Sequence, residues 1–216
     1  MLKQQIGGSY LSNLDLMQDL KRTYDIELNE ILILDSFWKS NGIHQIPEID
    51  DKKIIFDTGY SGVFIDNALM MGYDLMDINY ILLSHNHFDH TWGLSDLISY
   101  YIDKDATNRE YITPEVITHP GTFNTRNVKE FNDISPQVSK EKLAEHFKLT
   151  LSKKPVFLTE NLVFLGEVER NNDFEAQNSI GKVKKNGQYI DDYIIEDSAL
   201  AYKTEDGIII ITGCSH

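Results

Sequence analysis

Cysteine is nearly absent: Cys214 is the single one in 216 residues, which excludes an intramolecular disulfide framework. Positive charge is scarce as well. Twenty Lys and Arg stand against 34 Asp and Glu, giving a formal net charge of −14, and no segment gathers the cations. A protein that gripped a phosphate backbone by counterion release would work against its own field, so no nucleic-acid partner is expected. No apolar run approaches the roughly 20 residues of a membrane span. The opening Met1-Leu2-Lys3-Gln4-Gln5-Ile6-Gly7-Gly8 lacks the apolar centre of a signal peptide. The expectation is a cytoplasmic chain with no membrane partner. The five prolines are scattered, at 47, 114, 120, 136 and 155, and no repeat or low-complexity tract marks a boundary. One domain over residues 1–216 is expected.

What is present suits a packed core. Hydrophobic residues make up 41% of the chain, with 11 Tyr and 10 Phe, against disorder. Strand-like runs alternate with helical ones in the first half: Glu30 to Leu34, Lys52 to Gly59, a helix from Val63 to Met71, Asn79 to Ser84, and a helix from Gly93 to about Tyr101. Such alternation argues an α/β domain. Residues 102–154 are looser, with a short strand in Pro114 to Pro120 and a Ser139-capped amphipathic helix to Leu149, and are expected to form a covering insertion. Two hairpins follow. One turns at Glu160-Asn161 between Pro155 and Val168, and the other at Glu205-Asp206-Gly207 between Ala199 and Gly213, where the Asp-Gly pair is a strong hairpin signal.

The chemistry is concentrated in "SHNHFDHTWGL", Ser84 to Leu94, directly after the apolar run Tyr80 to Leu83. Four of the six residues from 85 to 90 are His or Asp. On an extended segment residues two apart point the same way, so His85 and His87 can aim at one point, while the turn that follows brings Asp89 and His90 to a neighbouring one. Ligands for two adjacent cations can come from one short stretch. A solvated surface cluster is the plainer alternative, but such a density of donors at the end of a buried strand favours a metal site. His44, in a polar loop, and His146, beside Glu145 and Lys148, read as solvated. Glu196 and Asp197 either reach toward the site or begin a strand. Arg170 and Phe174 lie where they could line a pocket for a phosphate.

His85-Asn86-His87-Phe88-Asp89-His90 matches the H-x-H-x-D-H signature, and with Thr91 and Gly93-Leu94 continuing into a helix the chain resembles the metallo-β-lactamase superfamily. "IIFDTGYSG" (Ile54 to Gly62) resembles that family's first motif. With "HPGTF", "GEVERNNDFE", "EDSALAYKTEDG" and "TGCSH" it is similar to the branch labelled ribofuranosylaminobenzene 5′-phosphate synthase, which also includes proteins regarded as cyclic phosphodiesterases.

The resemblance implies an αβ/βα four-layer sandwich lacking its C-terminal elements, since the branch continues past "GCSH" to a further metal histidine. A missing C-terminal segment or a homo-oligomer would complete it. It also implies a dinuclear divalent metal centre, zinc first, with manganese or iron compatible. His85, His87 and His119 would hold one cation. Asp89 and His90 would hold the other, with either Cys214 or His216. Asp57 would fix the histidine tautomers, and Asp89 would also handle the proton of the attacking water. The implied function is hydrolysis of a small phosphorylated or otherwise anionic metabolite, of phosphodiesterase or cyclic-phosphate type. The alternatives are an acyl or thioester hydrolase of the same fold, or a metal-binding fragment that has lost catalysis. His87 stands where redox members of the fold carry an acidic residue, which disfavours that role.

Overall fold

A computed structural model describes residues 31–35, 48–129, 132–171 and 178–216. Among these, the strands form two five-stranded sheets and one three-stranded sheet.

The first sheet grows from buried apolar runs. Its strands are β2 (Glu48–Ile49), β3 (Lys52–Phe56), β4 (Tyr80–Leu83), β5 (Glu115–Thr118) and, numbered in chain order, β7 (Lys148–Leu151), adjacent in that order. Pairing from β3 through β4 and β5 to β7 is parallel. The connections that parallel pairing requires carry helices α1 (Val63–Met70), α3 (Leu94–Ala106) and α4 (Lys140–His146), while the short α2 (Phe88–Thr91) precedes α3.

The second sheet runs β1 (Ile31–Asp35), β13 (Ile208–Thr212), β12 (Ala199–Lys203), β9 (Leu162–Phe164) and β8 (Val156–Phe157). β1 lies parallel to β13, and the remaining pairs are antiparallel. Both expected hairpins are present.

Alternation along the strands divides the core in two. Ile55, Ile81, Leu83 and Val116 face the helices, where Phe64 and Ile65 of α1, Leu94, Leu97 and Tyr101 of α3 and Leu143 of α4 close the layer. Their neighbours Ile54, Phe56, Leu82 and Ile117 point the other way and meet Leu162, Phe164, Leu200 and Ile211 of the second sheet. A third apolar cluster, with Val163, Ala201 and Ile210, occupies the far face of that sheet. Helices, sheet, sheet and a further apolar face are the layers of an α/β sandwich.

Two stretches differ from their expected form. Residues 102–154 do not lie over a finished domain: they supply β5, β7 and α4, which belong to the central sheet and its helix layer. The helix begun at Ser139, whose hydroxyl accepts from Lys142 N, ends at His146, and Lys148–Leu151 is a strand: Phe147 turns the backbone to an extended conformation, and the residues after it pair with β5. The third sheet pairs β6 (Arg126–Asn127) with β10 (Lys182–Lys185) and β11 (Gln188–Asp191). Its hairpin turns at Asn186-Gly187, both at positive φ, the two-residue turn for which an Asn-Gly pair is suited.

Candidate metal centre

Ends of strands from both large sheets meet at one place. β3 leads into Asp57, whose positive φ of 62° folds the chain back so that its carboxylate lies against the end of β4. That carboxylate is fully buried and takes three donors: Ser84 N at 2.7 Å on Oδ1, with Ser84 Oγ at 2.8 Å and His90 Nδ1 at 2.7 Å on Oδ2. The loop after Asp57 is tied to α2 by Thr58 N donating to His90 O at 2.8 Å. Gly93, at the start of α3, sits so close that a Cβ would stand 2.2 Å from Thr58 O.

Proton accounting then fixes the two imidazoles. Ser84 Oγ has one proton, which it gives to Asp57, so it accepts from His85 Nδ1 at 2.9 Å and leaves His85 Nε2 with an open lone pair. His90 gives its Nδ1–H to Asp57, leaving Nε2 to face Cys214 Sγ at 3.2 Å and Asp89 Oδ2 at 3.8 Å. A carboxylate that holds one imidazole nitrogen and turns the other outward is the usual support of a metal histidine.

The remaining donors arrive from β13. Gly213 follows that strand where a Cβ would stand 2.2 Å from Ser84 Oγ and 3.0 Å from Asp57 Oδ2, so only glycine lets the strand end come this near. Cys214 and His216 are thereby carried to the histidines of the first sheet. The His85 ring centroid is 4.5 Å from that of His87, 4.1 Å from His90 and 4.9 Å from His216, and the His87 and His216 centroids are 5.1 Å apart. Among the described residues, two groups have ligating atoms all within 4.8 Å of one another: His85, His87 and His216, and His85, His90 and Cys214.

The donor set fits a divalent cation. His85 Nε2 and His87 Nε2 are buried and have no hydrogen-bond partner among the described residues, which is unusual for polar atoms unless something else satisfies them. Burial, joined by the nearby His90, His87, His216 and Arg126, holds His85 well below the ordinary imidazole range. Burial and His216 push His87 down to about 3. Both are therefore neutral lone-pair donors. Burial also disfavours charge on His90, but Asp57 and its hydrogen bond outweigh that and hold it well above the ordinary value.

The expected residues are thus placed unevenly. His85, His87, His90, Cys214 and His216 come together, with Asp89 beside them and Asp57 beneath. His119, though buried, does not join: its Nδ1 accepts from Gly121 N at 2.9 Å and its Nε2 lies 2.9 Å from Glu167 Oε2. Burial lowers its pKa, opposed by Glu167. Arg170 donates from Nη1 and Nη2 to the carbonyl oxygens of Tyr193 and Ile194. Phe174 and His44 lie outside the described residues, and His146 is half-buried rather than fully solvated.

Glu196 and Asp197 precede β12 and are both buried. Glu196 pairs with Arg126, which also binds Asp192; burial still raises the Glu196 pKa against the pull of Arg126. Burial raises Asp197 to about 7. Sequence reasoning found neither Arg126 nor Ser84. Ser84 adjoins the motif and could have been read as the hydroxyl between Asp57 and His85, whereas Arg126 carries no local signal.

Comparison with known proteins bears on the fold. The model of the metallo-beta-lactamase superfamily matches residues 48–156. A 7,8-dihydropterin-6-methyl-4-(beta-D-ribofuranosyl)-aminobenzene-5'-phosphate synthase of Methanocaldococcus jannaschii is 31% identical over 193 residues, with 83% of this chain and 63% of that protein covered. An uncharacterized protein of the same organism is 28% identical over 181 residues, with 83% and 64% covered. The chain therefore spans a little under two thirds of the length of these relatives. Among solved structures, a metal-dependent hydrolase of the beta-lactamase superfamily superposes with a TM-score of 0.58 at 24% identity, over 76% of this chain and 56% of that one.

Proposed function

The chain belongs to the metallo-beta-lactamase superfamily, and from that premise we propose that it is a metal-dependent hydrolase acting on a small phosphorylated or otherwise anionic metabolite. The observation that carries the reading is the pair of buried Nε2 atoms of His85 and His87 that have no hydrogen-bond partner among the described residues; both histidines stand with His216 in one group, and His85 stands with His90 and Cys214 in another. Zinc suits this nitrogen and sulfur set, and manganese or iron suit its imidazole and carboxylate side. A divalent cation held there supplies Lewis-acid polarisation and lowers the pKa of water.

The chain's own residues set the rest. Asp57 and Ser84 lock the orientations of His90 and His85 before any ligand arrives, so no reorganisation is needed during reaction. Asp89, partly exposed and 3.8 Å from His90 Nε2, is placed to accept a proton from water entering the site and to deliver it to a leaving group. Selection of an anion by a chain of net charge −14 is consistent with cations dominating the local field. A phosphorylated substrate is supported by the 5'-phosphate in the name of one relative.

The test is turnover of a panel of phosphodiesters, phosphomonoesters, thioesters and lactones by zinc- or manganese-loaded protein, with His87→Ala as control. Phosphoester hydrolysis that falls to background in the variant is expected. Turnover of thioesters or lactones alone would replace the substrate class, and metal uptake without any turnover would reduce the protein to a binding module.

A further inference from the structure

A second buried carboxylate lies close to the histidines, besides Asp57. Asp197 is 7% exposed, and its position is fixed by its neighbours: Asp197 N donates to Ile194 O at 3.1 Å, Ser198 N donates to Ser84 O at 3.0 Å, and Glu196 is held by Arg126. Asp197 Oδ2 accepts the backbone N–H of His216 at 2.6 Å. Its Oδ1 stands 3.9 Å from His85 Nδ1 and has no hydrogen-bond partner among the described residues.

A carboxylate oxygen kept from water without a partner is costly. Of the guanidinium groups on this side, Arg126 is engaged by Asp192 and Glu196, and Arg170, which donates to two carbonyl oxygens, acts on Asp197 through space and leaves its Oδ1 without a hydrogen bond. His85, which Asp197 adjoins, and His216, whose backbone N–H it holds, stand with His87 in one group whose ligating nitrogens lie within 4.8 Å of one another. One arrangement satisfies both: positive charge between those nitrogens, countered by negative charge behind them.

We propose that Asp197 is a positioning residue of the metal group, hanging His216 in place by its backbone N–H and supplying the fixed negative charge that balances a cation held by His85, His87 and His216. This rests on the metal reading of the site given above. Asp57 and Asp197 then both back His85 on its Nδ1 side, one acting through Ser84 and the other across 3.9 Å, so the site carries two backing charges rather than one.

Asp197→Asn is the discriminating variant, because it keeps the volume and an acceptor for His216 N–H while deleting the charge. Zinc affinity is measured by competition with a chromophoric chelator, and melting of the metal-free protein by calorimetry. The variant is expected to bind zinc about 10- to 100-fold more weakly, with no fall in the melting temperature of the metal-free protein. Ligand-field bands of the cobalt-loaded form are expected to shift. Affinity within about twofold of the parent would overturn the proposal, as would a loss of affinity accompanied by a matching destabilisation of the metal-free protein, which would make Asp197 a structural clamp. Failure of the parent protein to bind zinc or cobalt at all would overturn the metal reading itself.

Discussion

At the scale of single residues, the site separates side chains that a linear motif presents together from those that only the fold can bring. His85, His87, Asp89 and His90 were legible because one strand end and one short helix hold them, and Asp57 was legible because a strand ending in Asp-Thr-Gly turns sharply. His119 and His216 are harder to rank from sequence, as both follow buried strands. The geometry separates them: both nitrogens of His119 already have partners in Gly121 and Glu167, whereas His216 shares a group with His85 and His87. His216→Ala is therefore expected to lower the metal bound per chain, while His119→Ala leaves it unchanged, as read by elemental analysis of protein purified without chelators. Equal losses in the two variants would put His119 into the ligand set. Asp197 was ambiguous in sequence because nothing local distinguishes a carboxylate at a strand entry from one aimed at a histidine 112 positions earlier.

At the scale of elements, the large sheets were readable and the small one was not. Runs such as Ile54 to Phe56 and Ile208 to Ile211 are apolar enough to announce strands buried in the core. The β10–β11 hairpin has a solvent-facing surface, with every residue of β11 exposed, so its only strong signal is the Asn186-Gly187 turn. What fastens the segment after it to the site is ionic: Arg126 of β6 is clasped by Asp192 and Glu196, all three buried. Removing the guanidinium alone strands two carboxylates away from water. Arg126→Met is expected to cost about 3–5 kcal/mol in urea unfolding, and the triple change Arg126→Met, Asp192→Asn, Glu196→Gln to recover most of it. A single-variant loss below about 1 kcal/mol would mean that water reaches the cluster.

At the scale of the whole molecule, the two large sheets face each other through Phe56, Leu82, Phe164 and Leu200, and the candidate centre lies where their strand ends converge. Because each sheet contributes donors, a bound cation ties one sheet to the other and stabilises only the closed state. Zinc at 100 times its dissociation constant is expected to add about 2.7 kcal/mol, raising the melting temperature by about 5–10 °C for a chain of this size, and a chelator to reverse the gain. An unchanged transition would mean that no cation binds the folded chain in preference to the unfolded one. The separation of the donors along the chain also sets an order in time. His90 and Cys214 touch across 124 positions, so at ribosomal rates about 6–25 s pass between the synthesis of the first and of the second. In that interval the three histidines of the first sheet exist as an open, incomplete ligand set, while β1 still awaits its partner β13. A cation gripped by both halves is therefore acquired at or after the docking of the second sheet, and loading of the site reports that docking.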